Sequence, residues 1–130
     1  MLAVIAVFDR KDLKKTYRLT GKPLARMQAA YPDWADRLKE VTAAAVYVAG
    51  REHASEPAGL LTVKAVCQTD NGVTLTFDTS TRLEITGGAL SDAIYKSARE
   101  GGWLSEEGYA PTFAFMDGEA FDVLQQRAAL

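Results

Sequence analysis

His53 is the side chain of this sequence whose ordinary pKa falls nearest to neutral pH, and it lies in the polar segment REHASEP. Glu52, Ser55 and Glu56 are its neighbours, so a general base acting on a serine is conceivable. A serine nucleophile, however, needs a positioned base and a third group that orients this base, and the spacing here indicates neither. We interpret His53 as an ordinary surface histidine, and the sequence predicts no catalytic residue.

A second candidate for chemistry is a glycine pair before a predicted helix. Gly87 and Gly88 precede Ser91, which we predict to be the N-cap of a helix over residues 92–100. The backbone N–H groups at such a helix start can bind phosphate or carboxylate. The segment matches neither the Walker pattern nor GxGxxG, and a tight turn is the alternative. Gly87, Gly88 and Ser91 are therefore candidate anion-binding residues.

The strongest charge asymmetry lies near the N-terminus, in a chain whose net charge is −2. Residues 1–26 contain seven basic and two acidic side chains, so this part carries +5 and the rest −7. Its candidate nucleic-acid-binding or anion-binding residues are Arg10, Lys11, Lys14, Lys15, Tyr17, Arg18 and Lys22. The alternative is that this stretch is only the solvated edge of a compact domain.

Two aromatic residues flank a segment bounded by glycines. Trp103 and Tyr109 enclose SEEG, where aromatic rings could stack on a base or anchor a protein partner. The alternative is that Trp103 closes the core. Cys67 alternates with apolar residues in LLTVKAVC, so we predict it to be a small buried side chain.

Composition limits the other classes of function. One cysteine and one histidine cannot supply a disulfide or a Cys/His zinc cluster, and the acidic residues between 100 and 122 are too dispersed for a metal cage. We predict no metal, no cofactor and a reducing, cytoplasmic location. The run LAVIAVF is too short for a signal peptide or a membrane span and predicts a buried strand.

These residues must be positioned by one domain, since 130 residues with 48% apolar and 25% charged side chains are typical of a single globular unit covering residues 1–130. Apolar residues at helical spacing predict helices over 23–30 and 32–40, separated at Pro32. We predict that their shared stripe faces the core; it contains Leu24, Met27, Tyr31, Trp34, Leu38 and Val41.

From Ala43 onward the pattern favours strands: AAAVYVA, LLTVKAVC, VTLTFD and TRLEIT, with Asp70-Asn71-Gly72 as a hairpin turn. A helix, the strand TFAFM and a last helix capped by Asp117 follow. The predicted order is β-α-α-β-β-β-β-α-β-α. This indicates an α+β fold, a mostly antiparallel curved sheet or small β-barrel with flanking helices.

The order of these elements, with AVYVAG, GLLTVKAV and TFAFMDGEAFDVLQQ in sequence, resembles the PUA-like group that includes EVE and ASCH domains. The resemblance implies a small barrel with flanking helices and the binding of RNA or a modified DNA base. Residues 1–8 contain no tryptophan, so the resemblance assigns no residue to a base pocket.

Three classes of function remain, in this order. The first is a non-catalytic module that recognises nucleic acid through the basic N-terminal segment. The second is a small inhibitor or immunity-type protein that acts by protein–protein binding. An enzyme ranks last, because the usual sets of acid, base and nucleophile are absent.

Overall fold

A computed structural model describes residues 1–7, 16–101 and 112–128 of the chain. Six strands are present in these ranges: β1 Leu2–Val7, β2 Thr16–Leu19, β3 Ala43–Val48, β4 Pro57–Thr69, β5 Gly72–Thr86 and β6 Phe113–Met116. The helices are α1 Gly21–Ala30, α2 Trp34–Lys39, α3 Gly87–Gly101 and α4 Gly118–Ala128, with a short 3-10 helix at Arg51–His53.

The six strands form one open mixed sheet in the order β2-β5-β4-β3-β1-β6. β1 and β3 are parallel, and the other pairings between neighbours are antiparallel. The predicted α+β class with a mostly antiparallel sheet is confirmed. Of the two alternatives, the open sheet is the one formed, so the barrel implied by the PUA-like resemblance is not seen in the described part of the chain.

β1 is covered on both faces, which explains its unbroken apolar sequence. Ala3, Ile5 and Val7 belong to the core cluster that contains Met27 of α1 and Leu38 of α2. The alternate residues of β1, at positions 2, 4 and 6, join a second cluster with residues of α3 and α4. The sheet is therefore the middle layer between two pairs of helices.

The helical stripe predicted from residues 24–41 packs on the first of these clusters. Met27, Leu38 and Val41 are buried, and the helix is interrupted around Pro32 as predicted. Trp34 is only half-buried and lies at the margin of the cluster, so the prediction that it belongs to the core is correct only in part. Trp34 is the first residue of the short helix α2.

β5 is a single strand where the sequence predicted two. VTLTFD and TRLEIT are one continuous strand, because β4 is nearly as long and pairs with both halves, including Leu61 opposite Ser80. β2 was not predicted as a strand, and only its pairing with β5 makes it one.

The β4–β5 ladder contains register irregularities between Leu61 and Val63 and between Val63 and Ala65. At the second of these, β4 advances two residues while β5 advances one, and this extra residue reverses which β4 side chains face the core beyond it. Val66 therefore packs on the core, while Cys67 is exposed. The prediction of a buried Cys67 was wrong because it assumed unbroken alternation.

None of the described helices is both long and apolar enough to cross a membrane.

Candidate nucleic-acid interface

The described part of the basic segment begins with β2, which is one edge of the sheet. Its pairing with β5 places Tyr17 opposite Leu75 and Arg18 opposite Thr74. Because successive strand residues point to opposite faces, Tyr17 and Leu19 turn toward the core and Arg18 turns away from it. Tyr17 is half-buried against the first core cluster, whereas Arg18 is exposed. Arg18 is thus available to an anion, and Tyr17 mainly supports the strand.

Helix α1 follows β2 at once and adds a second cation. Lys22 is exposed in its first turn, which contains no acidic residue, and the side chain of Thr20 makes no capping hydrogen bond. The N-terminus of a helix carries partial positive charge, so a lysine there is unfavourable unless an anion is near. Helix starts normally have acidic or capping side chains, and departures from such local rules are found most often at functional sites.

These two cations are close along the chain. Lys22 is four positions after Arg18, so their Cα atoms are at most about 14 Å apart. No acidic residue occurs between Thr16 and Ala30, while Arg26 adds a third positive charge in this stretch. We call the exposed surface around Arg18, Lys22 and the start of α1 the β2–α1 surface.

The hairpin turn between β4 and β5 supports this surface. A Cβ atom placed on Gly72 would lie 2.7 Å from Thr20 Cγ2 and 2.8 Å from the carbonyl oxygen of Leu19, so this close approach requires glycine. Neither Asn71 nor Gly72 has positive φ, although the turn was predicted from residues that tolerate it. Asp70 in this turn is exposed, and it lies two residues before the glycine that packs on Thr20.

The glycine pair predicted to bind an anion lies at the far end of β5. Gly72 begins this 15-residue strand beside Thr20, and Gly87 follows its last residue. At roughly 3.3 Å per strand residue, several tens of ångströms separate the two places. The structure therefore does not combine Gly87, Gly88 and Ser91 with Arg18 and Lys22 in one site.

The backbone at the start of α3 already has protein partners. The N–H of Gly87 donates to the carbonyl oxygen of Glu56 at 2.7 Å, and the N–H of Gly88 donates to Ala54 at 2.9 Å. The glycine at position 88 is explained by packing, since a Cβ there would lie 2.9 Å from the Ala54 oxygen. These two N–H groups are occupied, which removes the basis for anion binding at the pair.

Ser91 is not the N-cap that we predicted. Helix α3 begins four residues earlier, and the hydroxyl oxygen of Thr86 accepts a hydrogen bond from the N–H of Ala89 at 3.2 Å. Ser91 instead hydrogen-bonds the hydroxyl of Tyr47, whose pKa is raised by burial and lowered in part by this contact. The sequence contained a signal for this cap, because a threonine at position 86 is also a favoured N-cap residue.

His53 lies near the end of the sheet at which α3 begins. Its Nδ1 is 3.1 Å from a carboxylate oxygen of Glu56, and the two side chains are each 30% exposed. The pairing holds the 3-10 segment to the turn that follows it and gives no arrangement of nucleophile, base and orienting group.

Six candidate residues lie outside the described ranges: Arg10, Lys11, Lys14, Lys15, Trp103 and Tyr109. Within those ranges, no group of three or more His, Cys, Asp or Glu side chains is arranged to hold a metal ion.

Comparison of the chain with protein-family models, with curated proteins and with solved structures gives no match. The fold and the β2–α1 surface are therefore the observations on which a functional proposal can rest.

Proposed function

We propose that this protein is a non-catalytic binding module that holds nucleic acid on the β2–α1 surface. The observation that supports the proposal most is the cationic start of α1, where Lys22 occupies a first turn without an acidic residue or a side-chain cap. A phosphate bound there would interact favourably with both the helix dipole and the lysine.

Arg18 and the sequence before β2 extend this interaction. Arg18 is exposed on the strand that leads into α1, and Arg10, Lys11, Lys14 and Lys15 precede it along the chain. A polyanion with regularly spaced phosphates satisfies such an extended set of cations better than a single small anion does. Contacts of this kind position the backbone of the nucleic acid and carry no base specificity by themselves.

The test is the salt dependence of binding to RNA and DNA oligomers, single-stranded and double-stranded, measured by fluorescence anisotropy. Changing Lys14, Lys15 and Arg18 together to alanine should weaken binding and reduce the slope of log K against log salt by roughly one unit per lost phosphate contact. A matched control changes Arg82, Lys96 and Arg99 to alanine. These three side chains are exposed and lie on β5 and α3, so binding should be nearly unchanged.

A variant that should strengthen binding complements this test. Asp70→Asn removes a negative charge beside the β2–α1 surface and should strengthen binding at low salt. If the wild-type protein has no affinity for any oligomer at low ionic strength, the proposal is wrong. The basic stretch is then a solvated edge or a docking surface for an acidic protein.

A further inference from the structure

The second half of β4 has a strand partner on one side only. β3 pairs with Gly59–Thr62 of β4, and one further hydrogen bond joins the N–H of Val63 to the carbonyl oxygen of Thr42 at 2.9 Å. β4 then continues to Thr69, paired with β5 but with no strand on its other side in the described chain. In the described chain, residues 64–69 thus present roughly 17 Å of strand edge without a strand partner. The carbonyl oxygen of Ala35 in α2 accepts a hydrogen bond from the Gln68 side chain at 3.4 Å, so α2 lies beside this edge.

This edge forms one wall of a groove of about 470 Å3, a size typical of ligand-binding clefts. The other wall comes from the end of α2 and the segment that leads into β3. The described residues that line the groove are Lys39, Val41, Val63, Lys64, Ala65, Val66 and Gln68. Apolar surface lies between two lysines, and both charges on these lining residues are positive.

The other two strand edges are less suited to bind an added strand. β2 has only four residues, and the outer edge of β6 is partly occupied because the hydroxyl oxygen of Tyr31 accepts a hydrogen bond from the N–H of Phe115 at 3.3 Å. The open part of β4 is longer and has a groove beside it. Strand addition at such an edge takes its affinity from backbone hydrogen bonds and its specificity from neighbouring side chains.

We propose that residues 64–69 of β4 bind an extended acidic peptide segment of a protein partner by strand addition in this groove. The choice of occupant rests on charge complementarity. Lys39 and Lys64 are both exposed at the groove, and acidic side chains on the added strand would neutralise them. A second copy of the chain is disfavoured, because antiparallel pairing of two β4 edges would bring positive charges together, and the nearby bulges and Lys64 are features that oppose self-pairing.

The probe for this proposal is a blocked six-residue peptide in which glutamate alternates with valine, compared with the same peptide carrying lysine in place of glutamate. The wild-type protein should bind the glutamate peptide at least about tenfold more tightly, since two opposite-charge pairs are gained and two like-charge pairs are avoided. Amide signals of residues 64–69 should shift in NMR spectra, and their hydrogen exchange should slow. The Lys39→Glu/Lys64→Glu variant should reverse the preference between the two peptides.

Two controls separate strand addition from simple charge attraction and from misfolding. Two glutamate peptides, each methylated on every second backbone nitrogen but offset from each other by one residue, should bind with different affinities. Only one of them loses the N–H groups that face β4. The charge-reversed variant should keep its denaturation midpoint, since both lysines are exposed. The Lys14, Lys15 and Arg18 triple variant should bind the peptide as the wild type does, which keeps this proposal independent of nucleic-acid binding.

Several results would overturn the proposal: no binding of the glutamate peptide, signal changes that map away from residues 64–69, equal binding of both methylated peptides, or an unreversed preference in the Lys39→Glu/Lys64→Glu variant. A concentration-dependent dimer in sedimentation experiments whose interface contains residues 64–69 would assign the edge to a second copy instead.

Discussion

At the scale of single residues, β2 and the start of α1 combine exposed cations with an aromatic side chain that packs on the core. Arg18 and Lys22 are exposed, as a basic surface segment requires. Tyr17, which the same pattern placed among the binding residues, is half-buried against the core instead. Sequence cannot separate these roles, because the face of the sheet that a residue joins depends on a pairing partner more than fifty positions away.

Gly72 gives a residue-scale prediction. Gly72→Ala should lower the free energy of unfolding by about 1 to 3 kcal/mol, because the added methyl group meets the Leu19 carbonyl oxygen at 2.8 Å and this backbone atom cannot easily move. Urea denaturation measures the change. Gly118→Ala is the matched control, since a Cβ there has no neighbour within 4 Å, and its stability should be unchanged or slightly higher. Equal effects of both substitutions would show that the hairpin turn does not pack on β2.

At the scale of elements, the predicted helices agree with the structure wherever an apolar stripe and a breaker occur together. The helices around Pro32 and the cap at Asp117 followed from local sequence, and both are present. Strand bounds were less accurate. The predicted strands VTLTFD and TRLEIT leave out Thr79 and Ser80, but β5 continues through both positions because β4 pairs with it there. The bulges of β4, which decide the exposure of Cys67, leave no clear mark in the sequence.

The contribution of the α4 N-cap to stability can be measured directly. The Asp117 carboxylate accepts a hydrogen bond from the N–H of Ala120 at 2.7 Å, so Asp117→Ala should destabilise the protein by about 1 kcal/mol. Asp117→Asn keeps an oxygen acceptor and should lose less than Asp117→Ala. Thermal unfolding followed by circular dichroism compares the two. A larger loss for asparagine than for alanine would contradict this account of the cap.

Helix α2 gives a second prediction at the scale of elements. Leu38 is fully buried, so Leu38→Ala should destabilise the protein by about 2 to 5 kcal/mol. Trp34 is half-buried, so the loss of stability in Trp34→Ala should be smaller than the roughly 3 to 5 kcal/mol usual for a buried aromatic side chain. Val123→Ala on α4, at a side chain 47% exposed, is the control and should have little effect. If the denaturation midpoint of Leu38→Ala equals that of the wild type, α2 does not pack as described.

At the scale of the whole molecule, two phenols, the half-buried Tyr31 and the buried Tyr47, connect the helices on opposite faces to the sheet. Burial raises the pKa of Tyr31, with partial compensation from the Phe115 N–H and from Arg37, and burial likewise raises the pKa of Tyr47. Both phenols therefore ionise more readily in the unfolded chain, whose tyrosine pKa is near 10.0.

Stability should fall as pH rises above about 10, because between the unfolded and folded pKa values the folded state holds more protons than the unfolded state. Below this pH the contribution is fully present. Urea denaturation at pH values from about 8 to 11 measures the slope, and Tyr47→Phe should make it less steep. Tyr95→Phe, at a side chain 43% exposed, should leave the slope unchanged. The same slope in all three proteins would contradict the prediction.

The position of β1 has a consequence for synthesis of the chain. β1 is translated before both of its neighbours, β3 and β6, and Leu2 pairs with both Ala43 and Met116. During translation this strand therefore lacks these partners until β3 emerges, and its other edge stays unpaired until β6 has left the ribosome. A nascent chain stopped before residue 113 would expose an unpaired apolar strand, the kind of surface that chaperones bind and that aggregates when left unprotected.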